Sequence, residues 1–150
     1  MFEYWNNKFE AKFRYFEAAD YDKGVFALLN QLTKAPVPPR EAFLEHLDKI
    51  SRCHSKIVNI VGELDGKIVA FGTVIITNTL EGKVGKIENI VTCKTVRGKG
   101  LGKIVIEVLK AQGWAEGCSR ITLFCEDKNV AFYRKLGFEL QGEIAACYTV

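Results

Sequence analysis

The sequence predicts a mixed α+β / α/β fold, a central mixed β-sheet flanked by helices. Three observations carry that prediction. Two β-branched runs, 57–64 and 68–76, are split by Asp65-Gly66, a dipeptide suited to the left-handed backbone of a two-residue hairpin. A second turn at Leu80-Glu81-Gly82-Lys83 leads into a third run, 85–92, so the three strands form an antiparallel meander. A Gly-rich basic loop, 94–103, then opens an amphipathic helix from Leu101 to about Trp114, and a helical crossover returns the chain to a strand parallel to the one before it.

The remaining elements follow in chain order. Residues 1–9 are aromatic and polar without a period and read as a loose arm or a segment packed on a partner. Residues 11–16 alternate and predict a strand. Asp20 can cap a helix whose buried face carries Gly24, Val25, Leu28, Leu29 and Leu32, ending near Thr33. Pro36, Pro38 and Pro39 then forbid helix, because each lacks a donor and restrains the residue before it. Helical spacing resumes over 40–50 through Phe43, Leu44, Leu47 and Ile50, which leaves His46 as an exposed helix residue. Beyond the glycine loop, Val105, Val108 and Leu109 line the long helix. Residues 120–125 read as a buried strand, 129–136 as a short helix stopped by Gly137, and 138–140 and 144–150 as the last two strands.

Length and composition narrow the function. The 150 residues suit one domain spanning 1–150, and 48% apolar with 26% charged residues is the balance of a folded globular chain rather than a disordered one. A formal charge of +3 is too small for a dedicated nucleic-acid binder but compatible with an anionic small molecule. No apolar run is long enough to span a bilayer, and Met1-Phe2-Glu3-Tyr4 lacks the basic-then-apolar order of a signal peptide. A cytoplasmic protein is expected, with organellar import still compatible. Cys53, Cys93, Cys118, Cys125 and Cys147 are odd in number without C-x-x-C spacing, so buried free thiols are expected rather than zinc or disulfides.

The loop is the most informative stretch. Gly98, Gly100 and Gly102 permit close approach of backbone to a ligand and positive φ angles, and the helix that follows adds unpaired N–H donors. Lys94, Arg97, Lys99 and Lys103 add four cations with no acidic residue among them, so the natural partner is a phosphate or pyrophosphate. It is not a nucleotide P-loop, because Ile104 follows Lys103 where a magnesium-binding hydroxyl belongs. Nor is it a dinucleotide fingerprint, because Lys103 stands where the third glycine belongs. On spacing alone it is either another phosphate cradle or an ordinary basic turn.

Arg97-x-x-Gly100-x-Gly102 resembles the R/Q-x-x-G-x-G/A signature of the GNAT N-acetyltransferases, and Asn129, Tyr133, Gly137 and Phe138 resemble that family's late segment. The resemblance implies a central mixed twisted sheet whose two parallel strands splay apart, with acetyl-coenzyme A in the splay and its pyrophosphate on the loop. Carried over residue by residue, the cofactor contacts are Ile90, Val91, Arg97, Gly98, Lys99, Gly100, Leu101, Gly102, Lys103, Asn129 and Tyr133. Backbone N–H groups near Ile90 and Val91 face the thioester, Tyr133 is the general acid to the thiolate, Glu88 accepts a proton or orients the amine, and the Phe124 carbonyl bonds the attacking amine. From position alone Tyr133 could equally be core, since Val130, Tyr133 and Leu136 share a helix face.

Gln31-Leu32-Thr33, residues 86–91 and residues 121–130 with Phe132-Tyr133 resemble the branch of the family that acts on glucosamine 6-phosphate, which commonly has Glu-Asp where this chain has Glu88-Asn89. That likeness implies direct acetyl transfer to the sugar amine in a ternary complex, on the way to UDP-N-acetylglucosamine. No covalent acetyl-Cys125 species and no metal are implied. Substrate contacts fall on Thr33, Lys86, Glu88, Asn89 and Arg120, with Lys83 and Lys128 as further candidate cations for the phosphate. A homodimer joined through the last strands is implied, with no nucleic-acid or membrane partner. Alternatives are an acetyltransferase acting on a peptide, protein or other small amine, and a non-catalytic coenzyme A-binding module.

Overall fold

In a computed structural model that describes residues 1–34 and 36–141, five strands form one sheet in chain order. They are β1 (Lys12–Tyr15), β2 (Lys56–Leu64), β3 (Lys67–Thr79), β4 (Gly82–Thr92) and β5 (Arg120–Leu123). β1 to β4 pair antiparallel, and β5 lies parallel to β4. The meander is as expected: Asp65 and Gly66 take φ of 50° and 76° at the first hairpin, and Thr79 pairs with Gly82 across the second.

The helices are α1 (Phe2–Asn6), α2 (Val25–Leu29), α3 (Arg40–Ser51), α4 (Leu101–Ala115) and α5 (Val130–Arg134). Strand alternation sends Ile60 and Ala70 to one face of the sheet and Val61 and Phe71 to the other. α4 covers the first face with Leu101, Ile104, Val105, Val108 and Leu109, and α2 covers the second with Val25 and Leu28. The opening arm is therefore not loose: α1 packs Phe2 and Trp5 against the α4 side of the core. α3 buries only Phe43, which meets the rings of Phe16, Tyr21 and Phe26, while Leu44 stays exposed like His46.

Several local expectations change: the run 120–125, expected to be a buried strand, is a strand only over Arg120–Leu123 with none of its residues buried, and Leu32 is exposed beyond α2. The first predicted helix is broken at Gly24, whose φ of 83° ends a 3-10 turn over Ala18–Tyr21 and starts α2 afresh. Asp20 is consequently no cap for that helix. It is fully buried, accepts hydrogen bonds from both terminal nitrogens of Arg14 (2.9 and 2.6 Å) and from Glu17 N (2.9 Å). Residues 138–140 form no strand, because among the described residues nothing pairs with them; the other expected strand, 144–150, lies outside the described residues. Of the four described cysteines only Cys118 is buried, while Cys53 and Cys125 are exposed.

Arg14 also bridges to Glu63 at 2.5 Å, and Lys23 reaches Glu63 at 2.9 Å, so two cations and two carboxylates tie β1, β2 and the chain before α2 together. Burial alone would raise the Asp20 pKa, but hydrogen bonds from Arg14 and Glu17 N–H and the charges of Arg14 and Lys23 outweigh it and hold it below the usual carboxylate range. Glu63 is likewise held low by Arg14 and Lys23. Lowered folded pKa values stabilise above the unfolded carboxylate range, and the contribution is lost as pH falls through the folded values. Arg14→Met leaves Asp20 buried without its main partner and should cost about 3 kcal/mol at neutral pH. The deficit should shrink toward about pH 3, where the orphaned carboxylate is protonated. Urea unfolding at the two pH values checks it; a deficit independent of pH would refute this account of the cluster.

Candidate active site

β4 and β5 are in register over only four pairs, from Val84↔Arg120 to Ile87↔Leu123. β5 then ends, whereas β4 continues to Thr92. From Glu88 onward β4 keeps β3 on one edge and has no strand on the other among the described residues. Glu88 and Phe124 are the first residues beyond the last pair, one on each side of the opening. This is the cleft outside the carboxyl ends of parallel strands, where ligands of open α/β sheets bind.

A bulge shapes the open edge. Phe71 pairs with Val91 and Thr73 with Glu88, so Gly72 alone opposes Asn89 and Ile90. Asn89 takes φ of 56°, a left-handed value that asparagine tolerates better than most residues. Gly72 is required by space: a Cβ there would lie 2.5 Å from Val105, 2.7 Å from Ile90 and 2.9 Å from Leu109. Close approach of α4 to the bulge thus depends on that missing side chain.

β4 runs directly into the basic loop. A 3-10 turn over Lys94–Val96 is followed by Gly98 at φ 84° and Gly100 at φ 79°, and α4 begins at Leu101 with Ile104 N donating to Gly100 O at 3.3 Å. Gly102 lies inside the first turn of α4, so only two of the three glycines are needed for positive φ. A Cβ at Gly98 would meet nothing within 4 Å, and the loop cations Lys94, Arg97, Lys99 and Lys103 are all exposed. Open glycine backbone, a helix N-terminus and four cations fit a pyrophosphate.

Around the opening, the Lys86 ammonium lies 2.7 Å from a Glu88 oxygen and 5.0 Å from the centre of the Phe124 ring, which is itself 69% exposed. Arg120 is not brought to this group: it pairs in register with Val84, four residues from Glu88 and about 13 Å along the strand, and bridges to Glu81 at 3.4 Å. Lys128 bridges to Glu126. Thr33 is exposed in the turn after α2. Past β5, the N–H of Asn129 donates to Glu126 O at 2.8 Å and leads into α5.

Tyr133 on α5 is half-buried, with the rings of Phe132 and Phe138 at 5.2 and 6.0 Å. Burial pushes its phenol pKa up, and the charge of Cys125 adds to the shift. Lys110 of α4 donates to Leu136 O at 2.7 Å, which ties the end of α5 to the helix that carries the loop. Three polar partners escaped sequence reasoning: Lys110, Cys93 and the side-chain role of Gln31. Periodicity carries no signal for a contact between elements. Among the described residues no cluster of His, Cys, Asp or Glu could hold a metal, and no helix is long and apolar enough to cross a membrane.

A sheet opened between two parallel strands, with a basic glycine loop at the next helix, is the scaffold of a protein that binds a phosphate-bearing cofactor or co-substrate. The chain belongs to the acetyltransferase (GNAT) family, whose family model matches residues 23–138. A Dictyostelium discoideum protein named glucosamine 6-phosphate N-acetyltransferase 1 is 37% identical over 142 residues, covering 91% of this chain and 89% of that protein. The Arabidopsis thaliana glucosamine 6-phosphate N-acetyltransferase is 36% identical over 131 residues, covering 84% and 88% respectively. The crystal structure of the Arabidopsis thaliana enzyme superposes with a TM-score of 0.87 at 34% identity, over 92% of this chain and 97% of that one.

Proposed function

We propose that this acetyltransferase moves the acetyl group of acetyl-coenzyme A to the amine of glucosamine 6-phosphate, giving N-acetylglucosamine 6-phosphate for UDP-N-acetylglucosamine synthesis. The observation that carries it is the open, bulged edge of β4 running straight into the basic glycine loop. The sugar is inferred from relatives whose names specify it and which align with most of the chain.

Acetyl-coenzyme A supplies an activated thioester; the chain supplies position, charge and protons. Backbone N–H groups of Gly98, Lys99, Gly100, Leu101 and Gly102, with Arg97 and Lys103, hold the pyrophosphate. Asn129 contacts the same ligand from the α5 side. N–H groups at Ile90 and Val91 on the open edge polarise the thioester carbonyl. The sugar amine, oriented by the Phe124 carbonyl, attacks the carbonyl carbon as the carbon–sulfur bond breaks. Tyr133 gives its proton to the departing thiolate, and the surplus proton of the amine passes to Glu88, directly or through water. Raised by burial, the Tyr133 phenol keeps its proton at neutral pH. Lys86, held beside Glu88, is the cation best placed for the sugar phosphate, and Thr33 and Asn89 complete the acceptor side. Arg120 is left out of this set by its distance from Glu88.

The working assembly is a homodimer. Among the described residues β5 pairs only with β4, and Phe124, Phe132 and Leu140, all exposed, lie on the chain that follows it. An unpaired edge and exposed apolar groups favour a second copy. Light scattering should give twice the chain mass; a monomer at working concentration would overturn this.

Coenzyme A release should be measured with glucosamine 6-phosphate, free glucosamine and amine-bearing peptides. Preference for the phosphorylated sugar is expected. Preference for peptides, or cofactor binding without turnover, would overturn the substrate or the catalysis respectively. In the same assay Tyr133→Phe should lower kcat by about 10² to 10⁴-fold while leaving the thermal midpoint nearly unchanged, since its hydroxyl has no hydrogen-bond partner among the described residues. Wild-type turnover with chemistry rate-limiting would return Tyr133 to the core.

A further inference from the structure

The glycine loop has little of its own to hold it. Nothing lies within 4 Å of a Cβ built on Gly98, and at Gly100 the nearest atom is Phe9 Cε1 at 3.9 Å. The loop is therefore held where Val96 is buried in the core, its N–H donating to Cys93 O at 3.0 Å, at the first turn of α4, and at the root formed by Cys93 and Lys94. The sheet fixes the first of those residues, because Cys93 N donates to Val69 O at 2.7 Å. Lys94 N–H has a side-chain acceptor instead, Gln31 Oε1 at 2.9 Å.

The other end of the same amide is also engaged: Gln31 Nε2 donates to Cys93 Sγ at 3.6 Å, and that sulfur lies 3.2 Å from Thr95 Oγ1. One side chain thus grips two consecutive residues where β4 becomes the loop. A neutral amide suits this place, because it offers an acceptor and a donor on one planar group. Hydrogen bonds from Thr95 and Gln31, with the charge of Arg97, hold the Cys93 thiol below its usual range despite partial burial, so the thiol reports on the grip. Gln31 is itself held by its backbone, which donates to Leu28 O at 2.9 Å, and Leu28 is seated with Val25 against Phe71 and Val91.

We propose that Gln31 is a positioning residue: its amide sets the root of the pyrophosphate loop and fastens that root to the turn bearing Thr33. Cofactor and acceptor segments, whose linked residues lie 63 positions apart in the sequence, are thereby held in one register. The inference rests on the proposed cofactor site. It concerns a residue that touches neither reacting centre.

The test is calorimetry of coenzyme A with the full-length chain, its Gln31→Ala variant and its Gln31→Met variant, the last matching length without the donor and acceptor. Both variants should bind coenzyme A about 5 to 10-fold more weakly, the worth of one or two net hydrogen bonds. KM for acetyl-coenzyme A should rise accordingly, with a smaller change in kcat. Iodoacetamide labelling of Cys93, followed by peptide mass mapping to separate it from exposed Cys53 and Cys125, should shift its pH midpoint upward in both variants. Unchanged affinity in Gln31→Ala, wild-type affinity in Gln31→Met, or an unmoved Cys93 midpoint would each overturn the role. If the wild type fails to bind coenzyme A, the cofactor site is wrong; if it binds and the variants match it, only the role of Gln31 is lost.

Discussion

The parting of β4 from β5 after four residue pairs is the constraint on which the rest of the site depends. Parallel pairing would ordinarily bury both strand edges. Here β5 stops at Leu123 while β4 runs on to Thr92. The bulge at Asn89 and Ile90 bends and twists β4 just past that point, which makes continued pairing with a straight β5 unfavourable and leaves polar backbone groups facing a cleft. Gly72 lets α4 close on the bulge from behind, so the strand edge and the helix that starts at the loop are seated on the same few residues. Cleft, loop and helix are one construction.

Charge is distributed with equal economy. Two groups near the site are shifted in opposite senses by different causes: burial holds the proton on Tyr133, whereas hydrogen bonds from Thr95 and Gln31 ease it off Cys93. The first suits the proton-donor role proposed for Tyr133. The second is a by-product of anchoring the loop root. The tight Arg14, Asp20, Glu63 and Lys23 cluster, in contrast, fastens β1 and β2 to the chain entering α2. It supports the platform on which α2, and hence Gln31, is carried.

The relatives named for glucosamine 6-phosphate align with most of the chain, and at position 89, one of the places where this sequence differs from the pattern expected of that branch, the structure shows what the backbone requires. Position 89 sits at the bulge with φ of 56°. Asparagine, like aspartate, accepts that conformation, so Asn89 preserves the backbone geometry while removing a charge beside the opening. Glu88 remains with Lys86 as its partner at 2.7 Å. Their pairing places one cation and one carboxylate at the opening of the sheet, a set chemically able to meet both a phosphate and an amine.

What the sequence determined by itself is what short-range rules govern. Asp65-Gly66 required a left-handed turn wherever it stood, and strand alternation with an apolar helical period distinguished the meander from α4. The residues at 97–102 resembled the family because backbone cradles demand glycine at set spacings, and those at 129–138 through Asn129, Tyr133, Gly137 and Phe138. Tertiary structure decided the rest. The burial of Asp20 follows from Arg14, which is near it in sequence but is fixed in place by β2. The bulge at Asn89 becomes legible only against Gly72 on the neighbouring strand, and Arg120 leaves the site only once the register sets it beside Val84. Gln31 enters the sequence reading only as part of the Gln31-Leu32-Thr33 resemblance, and its side-chain role emerges when packing of α2 delivers its amide to Lys94, because a hydrogen bond across 63 positions leaves no period in the chain.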